Sequence, residues 1–297
     1  MSGTLYIVAT PIGNAEDLSD RAKRILAQAD IIAAEDTRTT QKLLAILDIR
    51  NKIVSNHMFN EKSKVDYLIS ELESGKDIAL VSDAGTPCIA DPGGIIVKEA
   101  AERGINVTCV CGPSAITASL SICGFCFDSF SFFGFLPRTA KEIKKSIIDA
   151  RSSPATVSVF FESPKRIKKT LEVFTEEVPD ADLCLCNDIS KMYERIYRGS
   201  PQKILEELKN NPQAEKGEYT LAARIDPALP PVLENGVSAE AMLIDQLVKQ
   251  GGSVKDAVKA LAEKHRQGFA KKDFYAASLK LRSMFKDLFP QDPGAEP

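Results

Sequence analysis

The first 110 residues alternate between two periods, and that alternation constrains the fold more than any other feature. Short apolar, β-rich runs stand at LYIVAT (5–10), IIAA (31–34), IVSN (53–56), DIALVS (77–82) and INVTCV (105–110). Between them lie stretches with helical spacing. In 18–29, Ala22, Ile25, Leu26 and Ala29 share one face; in 60–75, Val65, Leu68, Ile69 and Leu72 do, with Asn60 as the expected N-cap and Gly75 just past the end. Segments 39–47 and 93–104 read as helices as well. Apolar runs without alternation suit strands buried on both faces, and repeated strand–helix–strand units build a mostly parallel sheet covered by helices.

After Gly112-Pro113 the pattern changes. A helix to about Gly124 is followed by expected strands at 130–134, 156–161, 181–186, 194–199 and 218–225, with helices near 139–150, 164–176 and 201–209. This is a second α/β domain, with a mixed sheet expected. PALPPVLENG (227–236) reads as a stiff linker. Three helical segments follow, and Ser253 with Asp256 resembles a capping box. The closing QDPGAEP is expected to be disordered. The expected organisation is an N-terminal α/β domain (1–112), a second α/β domain (113–228), a helical extension (229–289) and a tail (290–297).

Of the 297 residues, 44% are apolar and 27% charged, as in an ordinary globular protein. No apolar run reaches the roughly 18 residues of a membrane span, so no membrane association is expected. The opening MSGTLYIVATPIGN has no basic region or cleavage site, so a cytoplasmic location is expected. Seven cysteines (88, 109, 111, 123, 126, 184 and 186) are an odd number, and they read as small buried apolar residues rather than disulfides or a metal set. Net charge is −3, but it is unevenly spread: residues 138–170 carry nine basic and three acidic groups, and 249–286 carry ten and three. Two basic segments in an acidic body suit either solvated helical faces or a polyanionic partner.

In an open α/β sheet, ligands bind beyond the carboxyl ends of the parallel strands. Three loops there combine glycine or proline with a hydroxyl or a carboxylate: ATPIGN (9–14), SDAGTPCIADPG (82–93) and CGPSA (111–115). Glycine lets main chain approach a ligand and proline presets loop shape. Together they suggest a rigid pocket walled by N–H and C=O groups, suited to a small cofactor with amino-acid and nucleoside parts. The dinucleotide fingerprint, the P-loop and the zinc-protease motif are all missing. The two histidines, His57 and His265, read as structural or surface residues, and no metal site is expected. Asp83, at a strand tip, reads as a ligand contact. Asp91, before Pro92-Gly93, reads as a turn residue.

TPIGN, AEDTR (34–38), SDAGTPCIADPG, GPSA, GFLPR (134–138), FESPKR (161–166) and KGE (216–218), in this order, resemble the tetrapyrrole-methylase superfamily, and most closely its branch acting on small-subunit ribosomal RNA. The resemblance spans roughly 4–286. It implies two α/β domains with S-adenosylmethionine in the cleft between them, a helical extension, and a homodimer. It places Pro11, Asp83, Gly85, Thr86, Ile89, Ser114 and Ala115 at the cofactor, with Phe161 and the segment around Leu221 approaching from the second domain. The implied reaction is methylation of the ribose 2′-oxygen of a cytidine in the decoding region, in the assembled subunit.

Such a transfer needs alignment and exclusion of water more than a reactive side chain. A carboxylate can assist by removing the hydroxyl proton. Glu35, Asp36 and Glu162 are the candidates, Glu35 first; the alternative for each is an ion pair with Arg38, Lys165 or Arg166 that orders its own loop. Arg38, Arg138, Lys165, Arg166 and Lys191 are candidate RNA contacts. The helical tail reads either as an RNA-docking module or as a packed extension. Three positions depart from the family pattern: Cys111 where proline is usual, Asn187 for an arginine, and Lys165 where histidine is common. A relative acting on a tetrapyrrole or a modified protein residue, and a non-catalytic RNA-binding assembly factor, are the rival readings.

Overall fold

The computed structural model describes residues 2–57, 61–226, 238–250, 253–264 and 271–284. The linker 227–236, Asn60, His265 and QDPGAEP lie outside the described residues. The chain divides into two compact units, Met1–Pro227 and Ala228–Pro297, and the first holds both sheets.

The first sheet comprises β1 (Thr4–Val8), β2 (Ile31–Ala34), β3 (Ile53–Ser55), β4 (Ile78–Val81) and β5 (Asn106–Val110), all parallel, in the order β3-β2-β4-β1-β5. Helices α1 (Asp20–Gln28), α2 (Thr37–Ile46), α3 (Glu61–Glu73) and α4 (Gly94–Glu102) connect the strands. Every residue of β2 and β4 is buried, which explains their unbroken apolar runs. Their side chains still alternate. Ile31, Ala33, Ile78 and Leu80 pack with Leu68 and Ile96, whereas Ile32, Ala34, Ala79 and Val81 pack with Ala22 and Leu26. One set faces α3 and α4, the other α1.

β5 is an edge strand, and this corrects one expectation. Cys109 and Cys111 are exposed there, with sulfurs 4.0 Å apart, and Cys126 is exposed too. Cys123, Cys184 and Cys186 are buried as expected. A strand at a sheet's edge leaves part of its surface uncovered, which residue type alone does not reveal.

Helix α5 (Ala115–Ile122) leads to the second sheet: β6 (Phe130–Phe135), β7 (Val157–Glu162), β8 (Asp182–Asn187), β9 (Arg195–Gly199) and β10 (Tyr219–Arg224). Its order is β6-β7-β10-β8-β9; β6 and β7 are parallel and the other pairs antiparallel. Helices α6 (Ala140–Arg151), α7 (Ile167–Glu177) and α8 (Pro201–Lys209) cover one face, where Phe160, Leu183, Leu185 and Leu221 are fully buried. Helix α5 covers the other, against Val157, Val159, Cys184, Cys186 and Ala222.

The second unit has its own core. Leu243 of α9 (Ala239–Gln250), Val258 and Leu261 of α10 (Val254–Lys264), and Phe274 and Leu281 of α11 (Lys271–Met284) are buried together. The Ser253 hydroxyl accepts from the Asp256 N–H at 3.2 Å and so starts α10.

Candidate functional site

The loops after β1, β4 and β5 meet, as their positions in a parallel sheet require. Thr10 and Gly85 exchange both main-chain hydrogen bonds, N–H to O, at 2.8 and 3.0 Å, and the Thr10 hydroxyl donates to Ser82 O at 3.1 Å. Thr86 Oγ1 donates to Pro113 O at 3.3 Å and ties in the third loop. Gly85 has φ +82°, a conformation that strains other residues. A β-carbon at Gly112 would lie 2.9 Å from that of Ala9, so the third loop can approach the first only through glycine. Thr10 was not singled out in the sequence; a threonine between a strand and a proline carries no distinctive signal.

The middle loop holds further local strain. Cys88 and Ala90 have φ of 69° and 64°, and between them Ile89 is 46% exposed. A loop of non-glycine residues in this region persists only where its surroundings enforce it. Gly93, with φ +128°, seats the loop's end against Leu80 and Cys88. Ser114 is the N-cap of α5, and its side chain makes no capping bond, so the first N–H groups of the helix face the junction unpaired by it.

Four carboxyls gather beside these loops. Asp83 Oδ1 accepts from Asp36 N at 3.1 Å, and Glu35 Oε2 from Asp83 N at 3.3 Å, so the ends of β2 and β4 hold each other. Asp36 caps α2 through Arg38 N at 2.8 Å and is paired with the Arg38 guanidinium at 2.7 Å. That hydrogen bonding holds its carboxyl down at about 2. Glu35 behaves oppositely: burial raises its pKa, the Asp83 N–H draws it down, and the charges of Asp83 and Asp36 push it up again. Asp83 is also raised, first by burial. Asp91 is pushed up to about 6 by burial and then by the charge of Glu35. Asp91 therefore belongs electrostatically to this cluster as well as to its turn.

Pro11, Gly13, Thr40, Leu43, Ser82 and Asp83 line a depression of about 210 Å³ in this region. Asp36, Arg38 and Lys42 line a broader one of about 590 Å³ alongside. Asn56 follows β3, and its N–H donates to Ala34 O at 2.7 Å, one residue from Glu35. Its side chain is fully buried, and neither carboxamide atom has a partner among the described residues. A buried amide left without a partner costs about 1–3 kcal/mol. Its only signal in the sequence was a polar residue closing an apolar strand. Among the described residues there is no group of three His, Cys, Asp or Glu able to hold a metal ion.

The second sheet contributes one of its ends. Cross-strand register places Glu162 opposite Tyr219, Tyr219 opposite Asn187, and Asn187 opposite Arg195, so segments 163–166, 217–218 and 188–194 are neighbours. Leu136 N donates to Phe161 O at 3.0 Å and brings 136–138 to the same end. Phe161 is half-buried, with its ring 4.9 Å from that of Phe132 and 5.4 Å from that of Phe135. Leu221 is fully buried on the opposite face of the sheet, among Phe160 and Leu185. Its side chain is core, because the strand alternates and Thr220 and Ala222 take the face toward α5.

Glu162 is completely engaged. Its side chain is 0% exposed; it accepts from Ser163 N at 2.6 Å and Thr170 Oγ1 at 2.5 Å and pairs with Arg166 at 2.6 Å. Glu162 and Arg166 thus hold the start of α7, the loop-ordering alternative. Lys191 bonds Asp188 at 2.9 Å and Glu218 at 3.0 Å. Burial opposes its charge, but these two carboxylates outweigh it and raise its pKa. A β-carbon at Gly13 would come within 2.4 Å of Lys191 Cγ, so the loop after β8 rests directly on the loop after β1. Arg138 and Lys165 are exposed and carry no ion pair among the described residues. Of the five expected RNA contacts, these two have no carboxylate partner among the described residues, whereas Arg38, Arg166 and Lys191 do.

Residues 4–205 match the family described as Tetrapyrrole (Corrin/Porphyrin) Methylases. The chain is 37% identical over 284 residues to "Ribosomal RNA small subunit methyltransferase I" of Halalkalibacterium halodurans, covering 92% of this chain and 93% of that protein. Among solved structures, a diphthine synthase aligns with a TM-score of 0.59 at 18% identity, over 75% of this chain and 90% of that one. A uroporphyrin-III C-methyltransferase from Thermus thermophilus, complexed with S-adenyl homocysteine, aligns with a TM-score of 0.51 at 14% identity, over 74% and 97%.

Proposed function

Because the chain belongs to the tetrapyrrole methylase family and, within it, to the ribosomal RNA small subunit methyltransferases I, we propose that it transfers a methyl group from S-adenosylmethionine to the ribose 2′-oxygen of a cytidine in the decoding region of small-subunit rRNA. The observation that carries this reading is the joining of three main-chain-walled loops at the ends of β1, β4 and β5, beside a second-sheet end bearing exposed Arg138 and Lys165.

The residues present fit the cofactor. Gly85 leaves main chain open to close approach, the unfilled cap of α5 offers N–H groups to a carboxylate, and Asp83 offers an acceptor to an ammonium or to ribose hydroxyls. Pro11, Asp83, Gly85, Thr86, Ile89, Ser114 and Ala115 form its proposed wall, and the Phe161 ring closes the second side. S-adenosylmethionine supplies a methyl group already activated on a sulfonium. The protein's task is to hold the hydroxyl in line and keep water out.

Glu35 is the proposed proton acceptor. Asp36 is locked to Arg38 and acidic, and Glu162 spends both oxygens on Ser163, Thr170 and Arg166. Glu35 combines a raised pKa with a position among the crevice loops, and a base works best when its pKa approaches the working pH. Arg138 and Lys165 are proposed to hold phosphates, with small-subunit rRNA as partner. A homodimer and a cytoplasmic location accompany the reading.

The test is methyl transfer from labelled S-adenosylmethionine to small subunits lacking 2′-O-methylation, followed by nucleoside mass spectrometry. 2′-O-methylcytidine as the product, lost in Glu35→Gln with cofactor binding retained, supports reaction and base together. A methylated base overturns the 2′-oxygen assignment. No transfer to subunits overturns the substrate.

A further inference from the structure

The second-sheet end that carries Lys165 and Arg138 also carries Met192 and Tyr193, which are 89% and 75% exposed. They form the apex of the connection between β8 and β9. The connection is tightly built. Asp188 and Ser190 adopt left-handed φ of 53° and 68°. Glu194 Oε2 accepts from Ser190 N at 2.6 Å, and the Ser190 hydroxyl donates to Asp17 of the first half. Lys191 is tied to Asp188 and Glu218 and packs on Gly13. Strained backbone and four cross-ties rigidify a loop whose two largest apolar side chains are largely exposed. The same ties hold both side chains toward solvent rather than toward the core.

We propose that Tyr193, with Met192 beside it, is the platform on which an unpaired base of the RNA substrate stacks, next to the nucleotide being methylated. The inference rests on the reading of the crevice given above and adds the residue that splays the strand. Three observations favour a base. The loop lies against ATPIGN, so a base on Tyr193 brings its neighbouring ribose to the crevice. β10 alone separates β7 from β8, so the strand ends that lead to Lys165 and to the apex lie about two strand spacings, or about 10 Å, apart. A short extended single strand bridges that gap with a phosphate at Lys165 and a base at Tyr193. Finally, the apolar patch is small: two such side chains offer on the order of 300 Å², against the roughly 800 Å² per partner of a stable protein interface. Exposed Glu194 and Arg195 flank it directly. A lone ring among charged groups suits sequence-tolerant stacking on a nucleobase.

Steady-state transfer to small subunits by Tyr193→Ala and Tyr193→Phe tests the proposal, with cofactor affinity measured by calorimetry and mass by sedimentation. For Tyr193→Ala, KM for the subunit is expected to rise about tenfold, with kcat falling less and cofactor affinity unchanged; Tyr193→Phe, which keeps the ring, is expected to restore KM. A wild-type KM in Tyr193→Ala would overturn the proposal, as would a phenylalanine variant as impaired as the alanine. A change of oligomeric state in Tyr193→Ala would assign the apex to a contact between copies instead. Should the wild-type protein methylate no subunit, the methyltransferase reading fails by itself. The ring is then judged by anisotropy of a labelled unpaired oligoribonucleotide: loss of binding in Tyr193→Ala, with retention in Tyr193→Phe, supports the platform, and equal binding by all three proteins overturns it.

Discussion

The two halves of the candidate site are built from different materials. The crevice loops of the first sheet are main-chain structures: Thr10 and Gly85 are paired backbone to backbone, Gly85 and Gly93 sit at positive φ, and Gly112 has Ala9 packed against its open side. The end of the second sheet is a side-chain structure, with Glu162 against Arg166, Lys191 against Asp188 and Glu218, and Arg138 and Lys165 exposed. A main-chain site tolerates few residue types at its critical positions and so keeps a recognisable motif. A side-chain site can exchange one cation or ring for another and keep its function. Of the three departures expected from the family resemblance, Cys111 falls in the third crevice loop, and Asn187 and Lys165 fall in the second half. Asn187 still finds partners there, its amide donating to Glu218 O at 3.3 Å.

Substitutions can break or sharpen this contrast. The largest effect is expected at Glu162. Glu162→Ala leaves the Arg166 charge half-buried and Ser163 N without its partner, and should cost about 3 kcal/mol in chemical unfolding; a loss below about 1 kcal/mol would show that the pair is not structural. Asp83→Ala should weaken S-adenosylmethionine binding about tenfold, or about 1.4 kcal/mol, while the fold survives; an unchanged calorimetric titration would remove Asp83 from the cofactor wall.

Asp91 tests the electrostatics of the crevice. Its carboxyl is raised in the folded protein, so the native state binds the proton more tightly than the unfolded chain. Stability from this group is therefore full below 3.8 and is lost as pH rises to about 6. Asp91→Asn should flatten that stretch of the stability profile and raise Tm at neutral pH by about 2 °C; a lowered Tm would mean that the turn needs the carboxylate. The smallest effect belongs to the second half: Lys165→Ala should reduce the salt slope of RNA binding by about one phosphate contact, without altering the fold or cofactor affinity. An unchanged slope would leave Arg138 as the cation at that end.

Much of the fold was legible because its elements obey local rules. The strands at 31–34 and 77–82 announced burial on both faces, and the helices at 18–29 and 60–75 announced one apolar face each. The crevice loops were legible because left-handed backbone and close approach demand glycine. Side-chain direction was harder. Leu221 lies in a matching segment, yet strand alternation turns it into the core. Cys109 and Cys111 looked like core residues until the strand order made β5 an edge. Glu162 was a plausible base until its three partners were in view.

The sequence by itself determined where strands, helices and glycine-dependent loops fall, since these follow from hydrophobic period and from the φ angles each residue allows. The tertiary structure alone decided which charged groups are spoken for. Glu162 and Arg166 are four residues apart and could be read together, but Lys191 and Glu218, or Asp17 and Ser190, meet only after the strands have chosen neighbours. The same holds for Glu35, Asp83 and Asp91, whose raised pKa values come from burial beside one another. No residue carries that property in isolation, because it belongs to the dielectric and the charges that folding assembles around it.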